Sequence, residues 1–72
     1  MTKGEIKEND ILVFKNGHVK YFHESERYIL NHFYRDNMVC EFKDEFTIVA
    51  IYRPSYEKMF DSRQIEGQQK IK

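Results

Sequence analysis

The clearest pattern in the chain is a pair of short apolar runs, residues 11–14 and 19–22, on either side of an Asn-Gly dipeptide. Both runs are rich in β-branched and aromatic residues, which favour strands. Asn16 and Gly17 tolerate the positive φ angles of a two-residue type I′ turn, so the pattern predicts a β-hairpin. A two-residue loop also sets the register, and the predicted core face then consists of two cross-strand pairs, Phe14 with Val19 and Leu12 with Tyr21.

A longer apolar run, residues 46–53, alternates as a strand does and carries apolar side chains on both faces. Strands with this composition lie inside a sheet. Pro54 follows directly and ends the strand, because proline has no backbone N–H to donate to a neighbour. We therefore expect residues 46–53 to form a central strand.

The segment between these runs, residues 24–37, is compatible with two structures. In a helix, Ser25 would cap the N-terminus and one side would carry Ile29, His32 and Phe33. In a strand, alternation would put Tyr28, Leu30, His32 and Tyr34 on one face. The aromatic and β-branched content favours a strand from about 27 to 32, followed by a turn at 35–37 and a weaker strand at 38–42.

Length and composition limit the chain to one small domain. It has 72 residues, of which 40% are apolar and 15% aromatic, enough for a core but not for two. Residues 61–72 hold two isoleucines among polar groups, so we expect a domain over 5–60 and a mobile tail. The predicted fold is all-β, a small barrel of about five strands with room for one short helical turn after Pro54. Burial at this size barely exceeds chain entropy, which leaves a homodimer open.

Charge and cysteine content exclude several classes of function. Twelve basic residues balance twelve acidic ones, and no block has a strong excess of either sign, which argues against a duplex-binding protein. Cys40 is the single cysteine, so no disulfide within the chain is expected, and a small buried thiol is the simpler interpretation. No apolar run approaches the roughly 18 residues of a membrane span, so we expect a cytoplasmic protein without a membrane partner.

The polar residues suggest no catalytic or metal centre. The predicted register puts His23 opposite Asp10, which is either a proton-transfer pair or, as we prefer, a polar cross-strand pair. Neither a serine nor a cysteine is placed beside it by any local spacing. His18 and His32 also lack the spacing of zinc ligands. We therefore predict no enzyme activity, no cofactor and no metal.

Tyrosine and arginine form the one combination that suggests recognition, because they dominate binding hot spots. Tyr21 and Tyr52 are expected in the core with a wet hydroxyl. Five residues in a predicted turn or around Pro54 are the candidate binding surface: Tyr34, Arg35, Asp36, Arg53 and Tyr56. The same residue types also stack on bases, so binding of single-stranded nucleic acid or a nucleotide is the alternative to binding a protein.

Three motifs in fixed order resemble a group of very small proteins encoded by phages and prophages of low-GC Gram-positive bacteria. The motifs are Asp10–Val13 with the Asn-Gly turn, Tyr34–Met38, and Thr47–Pro54. The group's pattern has Gly where this chain has Asn9. The resemblance implies a partly open SH3-like barrel and a phage accessory protein that binds, and inhibits or redirects, a host protein in the bacterial cytoplasm. It implies no catalytic residues.

Overall fold

The computed structural model describes residues 1–54 and 68–72 of the chain. Its four strands are β1 (Ile11–Phe14), β2 (Val19–Tyr21), β3 (Ile48–Pro54) and β4 (Gln68–Lys70). They form one antiparallel sheet in the order β2-β1-β3-β4, and the single helix in the described part is α1 (Arg27–Phe33). Short 3-10 turns cover Lys3–Glu5, Glu24–Glu26 and Asp44–Phe46. The prediction of a small, mostly β domain is confirmed.

The predicted hairpin is present, but its register is wrong by one residue. Gly17 N–H donates to the Phe14 carbonyl at 2.8 Å, and Phe14 N–H donates to the His18 carbonyl at 2.8 Å. This is a three-residue loop in which only Gly17 has a positive φ, of 91°, whereas a type I′ turn needs one at Asn16 as well. Asn16 instead accepts a hydrogen bond from His18 N–H through Oδ1 at 2.9 Å. Every side chain of β2 therefore lies on the face opposite to the predicted one.

The predicted strand over residues 27–32 is also wrong, because this segment is the helix α1. Leu30 and Tyr34 lie four residues apart, and both are buried in the core. Tyr28, which strand alternation would have placed beside them, is 70% exposed. Ser25 lies in the preceding 3-10 turn, and the helix has no side-chain cap at its N-terminus.

Both ends of α1 are held by the N-terminal segment. Arg27 donates to the carbonyl of Ile6 at 2.5 Å and to that of Lys3 at 3.2 Å, and its guanidinium lies 5.0 Å from the centre of the Phe22 ring. Lys3 in turn donates through Nζ to the Tyr34 carbonyl at 2.6 Å, just beyond the helix C-terminus. These bonds favour the helix through contacts far away in sequence.

A second three-residue turn follows the helix at the predicted 35–37. Met38 N–H donates to the Arg35 carbonyl at 2.8 Å, Arg35 N–H donates to Val39, and Asn37 Oδ1 accepts from Val39 N–H. The pattern repeats that of the first hairpin, with Met38 in the glycine position at a φ of 70°. The weaker strand predicted for 38–42 is reduced to one bridge between Tyr34 and Cys40.

β3 is a central strand, as predicted, although it begins at Ile48 and not at residue 46. A bulge at Val49 interrupts its alternation, since Val13 lies opposite Ala50 while the next residue of β1 lies opposite Ile48. The bulge lets Ile48 and Ile51, three residues apart, both reach the core.

Residues 68–72 belong to the sheet, although the sequence predicts them as part of a mobile tail. Ile71 N–H donates to the Ile51 carbonyl at 2.8 Å, and the Ile71 side chain packs against the core. The rest of the predicted tail and the end of the predicted 5–60 domain lie outside the described residues. The core contains Ile6, Leu12, Phe22, Leu30, Tyr34, Met38, Cys40, Ile48 and Ile51.

Candidate protein-interaction face

The sheet has a second face that neither α1 nor the core covers. The register builds it from two rows that cross the sheet, one through Ile11 of β1 and one through Val13. Side chains of directly opposed residues share a face, so each row carries three neighbours on one side. We call these side chains the outer face, and they are Tyr21, Ile11 and Tyr52 in one row and Val19, Val13 and Ala50 in the other.

The outer face is apolar, and its most accessible part lies on β2. Val19 is 60% exposed and Tyr21 is 57% exposed, while Val13, Ala50 and Tyr52 are partly buried and Ile11 is buried. Lys70 of β4 lies opposite Tyr52 and continues its row. Contiguous apolar surface of this kind on a small protein marks an interaction site. Tyrosine adds an apolar ring with a polar tip, which suits a surface that is wet when free and buried when bound.

Two of the sequence-predicted site residues are structural. Tyr34 is buried, and its hydroxyl donates to the Phe46 carbonyl at 2.7 Å. Burial raises the pKa of Tyr34 well above its ordinary value, so it stays a neutral donor. Arg53 binds the buried Asp10 carboxylate through Nε and Nη2, both at 2.8 Å. Hydrogen bonding to Asp10 raises the pKa of Arg53 further above its ordinary value.

The other predicted residues do not add to the outer face. Arg35 and Asp36 are exposed in the turn after α1, where Arg35 Nε lies 3.3 Å from Glu41 and the Asp36 carbonyl accepts from Lys3 N–H. Tyr56 lies outside the described residues. The predicted surface is therefore divided between a core residue, an ion pair and a separate turn.

The predicted pair of His23 and Asp10 does not form. Phe22 N–H donates to the Asp10 carbonyl at 2.7 Å, so the shifted register places Phe22 opposite Asp10. His23 Nδ1 instead lies 3.3 Å from Glu8 Oε2, and both side chains are exposed. Across residues 1–54 and 68–72, no three His, Cys, Asp or Glu side chains are arranged to hold a metal ion.

The expected core positions of Tyr21 and Val19 are wrong. A one-residue change of register moves every side chain of a strand to the other face. The sequence does indicate a second apolar face, because Ile11, Leu12 and Val13 place apolar side chains on both faces of β1. This pattern predicts that apolar side chains are covered on both sides of the sheet.

Searches of protein-family models, curated proteins and solved structures found no match to this chain. Within the part of the chain that the structure describes, no helix is long and apolar enough to cross a membrane.

Proposed function

We propose that this chain is a non-enzymatic binding protein that engages a partner protein through the outer face of its sheet. The observation that carries the proposal is the exposure of Val19 and Tyr21 beside Val13 and Tyr52 on one continuous apolar surface. Burial of one such side chain contributes about 1.5 to 3 kcal/mol. A few such side chains together offset part of the cost of association, and the rest of the binding free energy comes from further contacts with the partner.

The kind of partner follows from the resemblance described above. A phage accessory protein would bind a host protein in the bacterial cytoplasm and inhibit or redirect it. The partly open SH3-like barrel of about five strands stays part of this proposal, and the four-stranded antiparallel sheet is compatible with it. A homodimer through the same face is the second way to bury these side chains.

Binding of single-stranded nucleic acid or a nucleotide is the alternative, and one feature favours it. Tyr21 and Tyr52 lie in the same row of the outer face, with Lys70 next to Tyr52. Aromatic side chains on a sheet are a platform on which bases stack, and a nearby lysine attracts phosphate. The even balance of acidic and basic residues favours the protein partner.

The test is capture of a host protein from a Gram-positive bacterial lysate by the immobilised chain. Tyr21→Lys removes an apolar side chain from the outer face, and Tyr28→Lys is the matched control because Tyr28 is exposed on α1. We expect stoichiometric capture by the wild type and by Tyr28→Lys, and its loss in Tyr21→Lys. Recovery of nucleic acid alone, with an affinity that falls steeply with salt, would support the alternative. Equal capture by both variants would contradict the proposed face.

A further inference from the structure

β2 is an edge strand whose outer backbone groups have no strand beside them in the described structure. Across the hairpin, Phe14 of β1 forms one hydrogen-bonded pair with His18, and Asp10 forms another with Phe22. Antiparallel pairs alternate, so the backbone of Lys20 also points toward β1. The N–H and C=O groups of the two residues that flank Lys20 in β2 therefore point away from the sheet. These groups are a template for one more strand.

A small apolar cavity lies next to this edge, between β2 and α1. Its volume is about 130 Å³, close to that of the cavities of about 150 Å³ that bind benzene. It is therefore the right size for one branched aliphatic or phenyl side chain. The apolar part of its lining includes Leu12, Phe14, Phe22, Ile29 and Leu30, and Lys20 and Glu26 are the charged residues of the lining.

The register connects the edge to the cavity. Lys20 lies opposite Leu12, so its side chain is on the same side of the sheet as the cavity. On a strand paired with β2, the residue opposite Lys20 would direct its side chain to that side as well. Its two neighbours would lie beside Val19 and Tyr21 and extend the outer face. In one register, an added strand would therefore pair with the outer backbone groups of β2, place a side chain in the cavity and extend the outer face.

Glu26 provides an additional sign of a missing partner at the cavity. Its Oε2 accepts a hydrogen bond from Lys20 Nζ at 2.6 Å. Its Oε1 is buried and has no hydrogen-bond partner among the described residues. Leaving such an atom unpaired is unfavourable, and a hydroxyl, amide or ammonium donor on an incoming segment would satisfy it.

A second copy of this chain fits the edge less well. In an antiparallel pairing centred on β2, the two Lys20 side chains would face each other, and directly opposed like charges are destabilising. The charge pattern therefore favours a different chain.

We propose that β2 accepts an extended segment of the partner protein as an additional strand, with one apolar side chain seated in the cavity between β2 and α1. The segment carries a hydrogen-bond donor near that side chain, for Glu26. This inference rests on the proposed function. It requires that the partner protein contains an exposed strand or an unstructured segment, and not only a flat surface.

The experiment is selection of a random twelve-residue peptide display library against the immobilised full chain. Selected peptides are then measured on two variants of one position: Val19→Pro, which removes an outward N–H, and Val19→Ala, which keeps it. Proline is tolerated at this kind of edge position, since the N–H that it removes is outside the ladder. We expect peptides with alternating apolar residues, an affinity loss of about tenfold or more on Val19→Pro, and a much smaller loss on Val19→Ala.

Circular dichroism is used to check whether the Val19→Pro variant folds. If it does not, a scan of single N-methyl groups along the peptide replaces it, and we expect losses at every second position. Peptides that bind Val19→Pro as well as wild type, or that show no alternation in the scan, overturn the inference. Failure to select any peptide also overturns it.

The outcomes separate the inference from the proposed function. Peptides that are lost on Tyr52→Lys but retained on Val19→Pro show binding to the outer face without strand addition. Lysate capture that depends on Tyr21, without any selected peptide, likewise supports the outer face and refutes strand addition. A wild-type chain that is dimeric while Val19→Pro is monomeric would make a second copy the occupant of the edge and refute the partner proposed here.

Discussion

Substitutions in the ion pair between Asp10 and Arg53 test whether Arg53 stabilises the fold or belongs to a binding surface. Asp10 is 1% exposed, and its carboxylate accepts two hydrogen bonds from Arg53 and one from Lys7 N–H at 2.8 Å. Arg53→Met keeps the apolar stem but leaves this buried carboxylate with one donor. Removal of one partner of a buried pair costs about 3 to 5 kcal/mol. Because the Arg53 side chain is 34% exposed and water reaches it, we expect the lower end, about 3 kcal/mol.

That loss is large relative to the whole protein. A stability of about 0.05 to 0.15 kcal/mol per residue gives roughly 4 to 11 kcal/mol for 72 residues. A loss of about 3 kcal/mol lowers the melting temperature by roughly 12 to 24 °C in a domain of this size. The assay is urea unfolding followed by circular dichroism for Asp10→Asn, Arg53→Met and the double variant. We expect the double variant to be about 2 kcal/mol more stable than the sum of the single losses predicts.

Arg35→Met is the matched control. Arg35 pairs with Glu41 at 3.3 Å, but both side chains are more than half exposed, so we expect a loss below about 0.5 kcal/mol. Strict additivity in the cycle, or an Arg53→Met variant as stable as Arg35→Met, would refute the reasoning and return Arg53 to the binding surface.

Two further predictions test the turn and the rim of the cavity. Gly17→Ala should lower the free energy of unfolding by about 1 to 2 kcal/mol, because alanine is strained at the positive φ of this position. Steric contact does not contribute, since no atom lies within 4 Å of the added methyl group. Chemical denaturation measures the loss, and a stability equal to that of wild type would contradict the prediction. The hydrogen bond from Lys20 lowers the pKa of Glu26, so the folded protein holds this proton less tightly than the unfolded chain does. Its contribution to stability is therefore present above about pH 4.3 and is lost as the pH falls through the lowered value. Melting curves from pH 7 to 3 should show a smaller acid-induced loss in Glu26→Gln than in wild type, and parallel curves would exclude this linkage.

Local signals in the sequence were sufficient for the parts of the fold that depend on neighbouring residues. The Asn-Gly dipeptide lies in the loop of a hairpin, and the polar residues 35–37 lie in a turn. Each of these follows from the conformations that one or two residues allow. The mostly β class follows from the apolar runs around them.

Distant contacts decided what the sequence did not reveal. The helix α1 has little intrinsic preference, but Arg27 and Lys3 tie its two ends to the N-terminal segment. Arg53 is a plausible contact residue in isolation, and only the fold brings it to Asp10, 43 residues away. Tyr34 is similar, since a tyrosine in a polar stretch reads as exposed until its hydroxyl is found on the Phe46 carbonyl.

The length of the hairpin loop determines both which side chains enter the core and which form the proposed binding surface. With two residues in the loop, Val19 and Tyr21 would share the side of Leu12 and fill the core, and Phe22 would be exposed. The third residue reverses this order, so that Phe22 is buried and the tyrosine lies on the outer face beside the open edge. The chain gains a core residue at the base of the hairpin and, at the same time, an edge strand whose outer side has no neighbouring strand among the described residues. An added strand would cover that exposed edge without any change of register, and for this reason we place the partner at β2.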